Sequence, residues 1–186
     1  MKKIVLAMTG ASGMPYGLEL VRQLKKHDFE LYLVISDAAR SVLSLEAAGF
    51  EPTLAMADHV YNQNDMGAPI ASGSFLHSGM IVCPCSMASL SAIANGLGNN
   101  LIHRAADVTL KERRPLVLVP RETPYSRIHL ENMLKAHDSG AVILPPSPGF
   151  YHFPQNIEDL IKHIAGRILD SLNIENNLFN RWKGIM

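Results

Sequence analysis

The chain has 186 residues, 47% of them apolar, and its Lys and Arg balance its Asp and Glu to a formal net charge of zero. That length suits one domain burying about 70% of its unfolded surface, and the composition excludes a disordered polymer. Neutrality excludes a protein held chiefly by nucleic-acid phosphates or an anionic membrane surface.

The N-terminal "MKKIVLAMTGASG" has too short an apolar run for a signal peptide. No stretch approaches the roughly 18 apolar residues of a bilayer span, so a cytoplasmic protein is expected. "KIVLAM" (Lys3 to Met8) reads as a first strand and ends in the glycine corner "TGASG"; Leu18, Val21 and Leu24 then mark a helical face. "ELYLVI" is a second strand, followed by "SDAARSVLSLE", a helix that Ser36 can cap. Residues 58–78 are polar and rich in Gly, Pro, Ser and Asn, a loop of functional or disordered character. "GMIVCP" is a third strand. It carries the two cysteines, Cys83 and Cys85, expected as buried thiols on opposite faces rather than a disulfide or a metal site. "CSMAS" then opens a helix whose face is Leu90, Ile93 and Leu97. "PLVLVP" and "GAVILP" are the fourth and fifth strands, and Ile157, Leu160, Ile161, Ile164, Ile168 and Leu172 mark a long final helix. A tail of residues 173–186 holds the only tryptophan.

Continuous apolar strands alternating with helices predict a doubly wound α/β sheet, parallel and covered on both faces. Ligands bind such sheets beyond the carboxyl ends of the strands, where "TGASG", "SDAAR", "CSMAS", "RETPYS" and "PSPGFYH" all fall. The first corner is neither G-x-G-x-x-G nor a P-loop, yet its helix N-terminus can receive a phosphate; Ser12 serves equally as a plain cap. The helix opened by Ser86 repeats that logic. Asp37 is a possible ribose ligand. Arg104, Lys111, Arg113, Arg114 and Arg121 cluster in the most charged stretch, where some belong to a solvated helix face. Arg121 and Glu122 sit at a strand's carboxyl end, suited to phosphate recognition and proton transfer. Taken singly, Glu46 reads as a solvated helix residue, and Tyr151 and Arg167 as structural. The eight histidines show no ligand spacing, and no metal is assigned.

"TGASG", "PCSMASLSAIA", "RAADVTLKERRPLVLVPRETP" and "GAVILPPSPGFYHFPQ" together resemble the UbiX-type (Pad-type) flavin prenyltransferase family, with the match running from Ile4 to about Trp182. The resemblance implies a Rossmann-like/flavodoxin-like α/β sandwich, a single flavoprotein domain over 1–186, and a trimeric or dodecameric homo-oligomer with the tail 173–186 at a subunit interface. It implies joining of dimethylallyl monophosphate to reduced FMN at N5 and C6, without metal, to give prenylated FMN for a UbiD-type decarboxylase. By this resemblance Gly10, Ala11, Ser12, Ser36, Met87, Ala88, Ser89, Leu90 and Arg121 hold FMN. Arg104, Lys111, Tyr151, Arg167 and Trp182 serve the prenyl phosphate, and Ser12, Glu46 and Glu122 are catalytic. Two alternatives stand beside it. One is a flavin-dependent cysteine decarboxylase of the same fold, against which Ala88 replaces the expected asparagine and for which His77 is a candidate histidine. The other is a non-catalytic FMN carrier.

Overall fold

All five apolar runs form strands of one parallel sheet, joined by a sixth strand that the composition of its segment conceals. The computed structural model describes residues 1–184. Its strands are β1 (Lys3–Met8), β2 (Glu30–Ile35), β3 (His59–Asn62), β4 (Met80–Cys85), β5 (Leu116–Pro120) and β6 (Val142–Ile143), in the order β3-β2-β1-β4-β5-β6. Strand order reverses between β1 and β4, which places the topological switch point at their carboxyl ends. The helices are α1 (Met14–Lys26), α2 (Asp37–Glu46), α3 (Glu51–Leu54), α4 (Met87–Ala94), α5 (Leu101–Lys111), α6 (Arg127–Asp138) and α7 (Ile157–Ser171).

The pleat divides each strand between two core layers. Ile4, Leu6 and Met8 pack with α1 and α7 on one face, while Val5 and Ala7 pack with α4 and α5 on the other. Cys83 and Cys85 lie in opposite layers and are fully buried. Strict alternation would put residues two apart on the same face; the irregularity in β4–β5 pairing between Val82 and Cys85 supplies the extra half-step. Both thiols are free, and burial pushes Cys83 upward and Cys85 to about 12, so neither is a thiolate at neutral pH.

The polar segment 58–78, expected as a loop of functional or disordered character, is ordered and holds β3. Asp58 accepts from the Leu31 amide at 2.7 Å and ion-pairs with Lys25, which docks β3 on the sheet edge. Across β2 and β3, the Tyr32 ring stacks on His59 at 4.3 Å and meets Phe75 edge-on at 4.8 Å, so aromatic rings cover this end of the sheet.

One close approach fixes α1 beneath the switch point. A Cβ on Gly17 would stand 2.7 Å from the Cys83 carbonyl oxygen and 2.9 Å from Met8 Cε. Gly17→Ala is therefore expected to destabilise the fold by about 1–3 kcal/mol through overpacking. An unchanged denaturant midpoint would show that α1 can move away at no cost.

Candidate functional site

Thr9 ties the switch point together. Its hydroxyl donates to the Pro84 carbonyl at 3.0 Å and accepts from the Ser86 amide at 2.7 Å, while its own amide bonds the Pro84 carbonyl at 3.1 Å. The Ser36 amide donates to the Met8 carbonyl at 3.1 Å. The corners after β1, β2 and β4 are thus linked before any ligand is considered. Thr9, at 2% exposure, is consumed in this linkage and is not free to serve a ligand.

The cap of α1 is Gly13, with φ of 107°, and not Ser12. The missing cap is supplied from another element. Glu46, the last residue of α2, turns its carboxylate to the helix start, where Oε2 accepts from the Gly13 amide at 2.8 Å and the Met14 amide at 3.0 Å. Burial opposes ionisation there, but the Ser12 hydroxyl, those two amides and the nearby Arg121 outweigh it and hold the carboxyl below its ordinary range. An anionic side chain therefore occupies the donors expected to cradle a phosphate. The first amides of α4, at Met87 and Ala88, and of α2, at Asp37 and Ala38, remain without intrahelical acceptors.

Arg121, at the end of β5, donates from Nε to the Ser12 carbonyl at 3.2 Å. Ser12, Glu46 and Arg121 line a cleft of about 390 Å³ together with Tyr16, Pro146 and Ile161. That size lies within the range of small-molecule sites, and a few convergent polar groups among apolar side chains is their usual chemistry. Ile157 and Ile161, expected as core positions of the final helix, border the cleft instead; Ile157 is 75% exposed. Around the rim the small residues allow close approach. A Cβ on Gly10 would collide with Ala38, and Ala88 is exposed at the start of α4. Ser36 caps α2 through the Ala39 amide, and Ser86 caps α4 through the Ser89 amide. Asp37 accepts from Asn62 and Gln63, so it is engaged by the segment after β3.

Other expected residues lie elsewhere in the single chain. Glu122 is exposed and accepts from its neighbour's Thr123 amide at 2.9 Å. Lys111 ends α5, just ahead of the start of β5, and ion-pairs with Glu112; it sits at the edge of the sheet opposite the cleft. Arg104 donates to the Ala71 carbonyl and pairs with Asp107, while Arg114 grips the carbonyls of Gly73 and Phe75. These two arginines pin "ASGSF" against α5. Tyr151 meets Trp182 edge-on at 5.7 Å and approaches His163 Nε2 at 3.4 Å. Arg167 is exposed, with Asp170 at 3.9 Å. The tail folds back on α7: Asn176 bonds the Gly166 carbonyl and Arg181 pairs with Asp170. Positions 185 and 186 of that tail lie outside the described residues. His77 bonds the Gly79 carbonyl at the amino end of β4, outside the cleft of its own chain. Among the described residues no helix is long and apolar enough to cross a membrane.

A family model described as Flavoprotein matches residues 1–169. The flavin prenyltransferase UbiX of Pseudomonas aeruginosa is 50% identical over 97% of this chain and 94% of its own length. The crystal structure of AnUbiX in complex with FMN and dimethylallyl pyrophosphate superposes with a TM-score of 0.96 at 48% identity, covering 100% of this chain and 99% of that one. A dodecameric FMN-dependent UbiX-like decarboxylase from Escherichia coli O157:H7 gives a TM-score of 0.94 at 43% identity over 98% of this chain and 100% of that one.

Proposed function

The chain belongs to the flavin prenyltransferases of the flavoprotein family, and from that premise we propose that it joins dimethylallyl monophosphate to reduced FMN, yielding prenylated FMN for a UbiD-type decarboxylase. The observation that carries the reading is the cleft at the switch point, where a hydroxyl, an ionised carboxylate and a guanidinium share a lining with apolar side chains.

The donor set fits a flavin nucleotide. Gly10, Ala11, Ser12 and Ser36, the α4 corner from Met87 to Ser89, and Arg121 would hold it, with small side chains where a ring must approach and open amides at Met87 and Ala88 for its polar groups; Leu90, expected among these contacts, is fully buried with its amide on the Ser86 carbonyl and backs the corner from the core. Reduced FMN, when bound, supplies the nucleophilic positions N5 and C6. The protein's part is positioning and charge. Tyr16, Pro146 and Ile161 exclude water beside the prenyl chain. Cationic side chains stabilise the negative charge that grows on phosphate as the allylic C–O bond breaks. Ser12 and Glu46 form the proton path: the hydroxyl lies against a carboxylate that is ionised and able to accept a proton. Glu122, next to Arg121 at the rim, is the second carboxylate.

Lys111, Tyr151, Arg167 and Trp182 are proposed to act on the cleft of a neighbouring copy in a homo-oligomer, with the tail 173–186 at that interface and residues 1–186 acting as one flavoprotein domain. Arg104 is proposed to support this basic set by holding "ASGS" in place. A cytoplasmic location belongs to the same proposal and agrees with two free, buried thiols.

The test is anaerobic incubation of the purified protein with reduced FMN and dimethylallyl monophosphate, then the pyrophosphate in parallel. Mass spectrometry should find a flavin heavier by one prenyl unit only when the protein is present. Unmodified flavin with both donors, from protein that binds FMN, would leave the carrier reading in its place.

A further inference from the structure

The start of α4 is backed by a buried histidine that neither the cleft nor the core explains. His103, on α5, is 8% exposed, and its ring lies between two polar side chains. Nδ1 stands 3.1 Å from Asn99 Oδ1, and Nε2 stands 3.2 Å from Ser89 Oγ. The Asn99 oxygen that faces Nδ1 can only accept, and on that contact the ring proton is assigned to Nδ1 and the accepting role to Nε2 of the neutral ring. The Ser89 hydroxyl proton must then point at His103. Ser86 Oγ donates in turn to Ser89 Oγ at 3.3 Å, and the Ser89 amide donates back to Ser86 Oγ at 3.3 Å. Every side-chain proton at this corner is directed inward along Ser86, Ser89, His103 and Asn99. Lone pairs, not protons, are left for whatever binds. The Met87 and Ala88 amides beside them offer only donors.

We infer that His103 is a positioning residue that makes Ser86 and Ser89 hydrogen-bond acceptors for a donor on the non-phosphate part of the flavin, a ribityl hydroxyl or a ring N–H. The inference rests on the flavin reading above. A phosphate brings only acceptors at neutral pH, and hydroxyls whose protons are turned away cannot serve it; a flavin's hydroxyl and N–H groups can use those lone pairs. The histidine is what fixes the direction, because an apolar side chain in its place would release the Ser89 proton to rotate toward the ligand.

The test compares FMN with riboflavin by quenching of flavin fluorescence in wild-type protein, His103→Leu and His103→Gln. His103→Leu should weaken both flavins about tenfold, leaving their affinity ratio unchanged, because a buried hydroxyl loses its acceptor while the phosphate contacts persist. It should also shift the absorption band of the bound flavin. His103→Gln should recover most of the loss, since its amide oxygen can accept from Ser89. Circular dichroism and the unfolding midpoint report whether the variants fold. If His103→Leu does not fold, Asn99→Ala, at an exposed position, should still weaken both flavins by about threefold. Wild-type affinity in a folded His103→Leu or Asn99→Ala protein overturns the inference, as does weakening of FMN alone or a Gln variant no better than Leu. Each of these leaves the flavin reading standing. Wild-type protein that binds neither flavin overturns both.

Discussion

Glu46→Gln is expected to slow formation of prenylated FMN by about 10²-fold or more, the scale of a lost acid–base group, while FMN affinity changes by less than about threefold. The substitution keeps the shape of the side chain and removes its charge. The carboxylate stands against the Ser12 hydroxyl and is the anionic group beside it in the cleft lining. A carboxamide cannot take up a proton there. Both backbone amides bond the one atom Oε2, so the carboxamide oxygen can take its place and keep both hydrogen bonds, but without the charge that strengthens them, and α1 loses part of its cap, about 1 kcal/mol of stability. The two effects separate by measurement, because turnover reads the proton transfer and the unfolding midpoint reads the cap. Their pH dependence has a definite sign. Glu46 is held below its ordinary range in the folded chain, so its stabilisation is complete above its unfolded value and is lost as pH falls through the folded one. The stability gap between wild type and Glu46→Gln should therefore close in acid. Product formation near the wild-type rate would reduce Glu46 to a helix cap.

This carboxylate also shows where sequence reading stops. The strands were legible because β1, β2, β4 and β5 are buried on both faces and read as unbroken apolar runs. Ser36 as the cap of α2 was legible because capping is local. The link from Glu46 to the start of α1 spans 33 residues and depends on how two helices converge, so no spacing rule reports it. Ser12 has the residue type of a cap, but the positive φ of Gly13 moves the helix start one position on. Strand β3 is four residues long and has no fully buried position, leaving no apolar run to detect. Helix α6 was missed for a related reason: Ala136 is its one buried residue, while Ile128, Leu130 and Leu134 are more than half exposed. Motif matching placed Lys111 and Arg167 among the ligands of a phosphate without saying whose phosphate. The fold answers part of that, because helices on a parallel sheet run back against the strands and carry their last residues to the edge opposite the cleft.

A mixed oligomer tests the remainder. Ile161 borders the cleft and Arg167 lies six residues further along α7, about 9 Å down the axis and about 120° around it. Lys111 is separated from the cleft by the length of β5, roughly 16 Å. Neither cation lines the Ser12–Glu46–Arg121 cleft of its own chain, and in the homo-oligomer proposed above each acts on the cleft of another copy. Arg167→Ala alone is expected to cut product formation by about 10²-fold or more, since a fixed cation aimed at the leaving phosphate stabilises the transition state by several kcal/mol. Glu46→Gln alone does the same from the other side of the interface. Co-expressing the two under separate affinity tags and purifying through both yields oligomers holding each variant. A site that takes its carboxylate from one copy and its arginine from the next is intact in roughly one position of four under random assembly. The mixed oligomer should then recover about a quarter of wild-type turnover, far above either parent. Turnover no higher than the parents' would mean that Arg167 serves no neighbour's cleft.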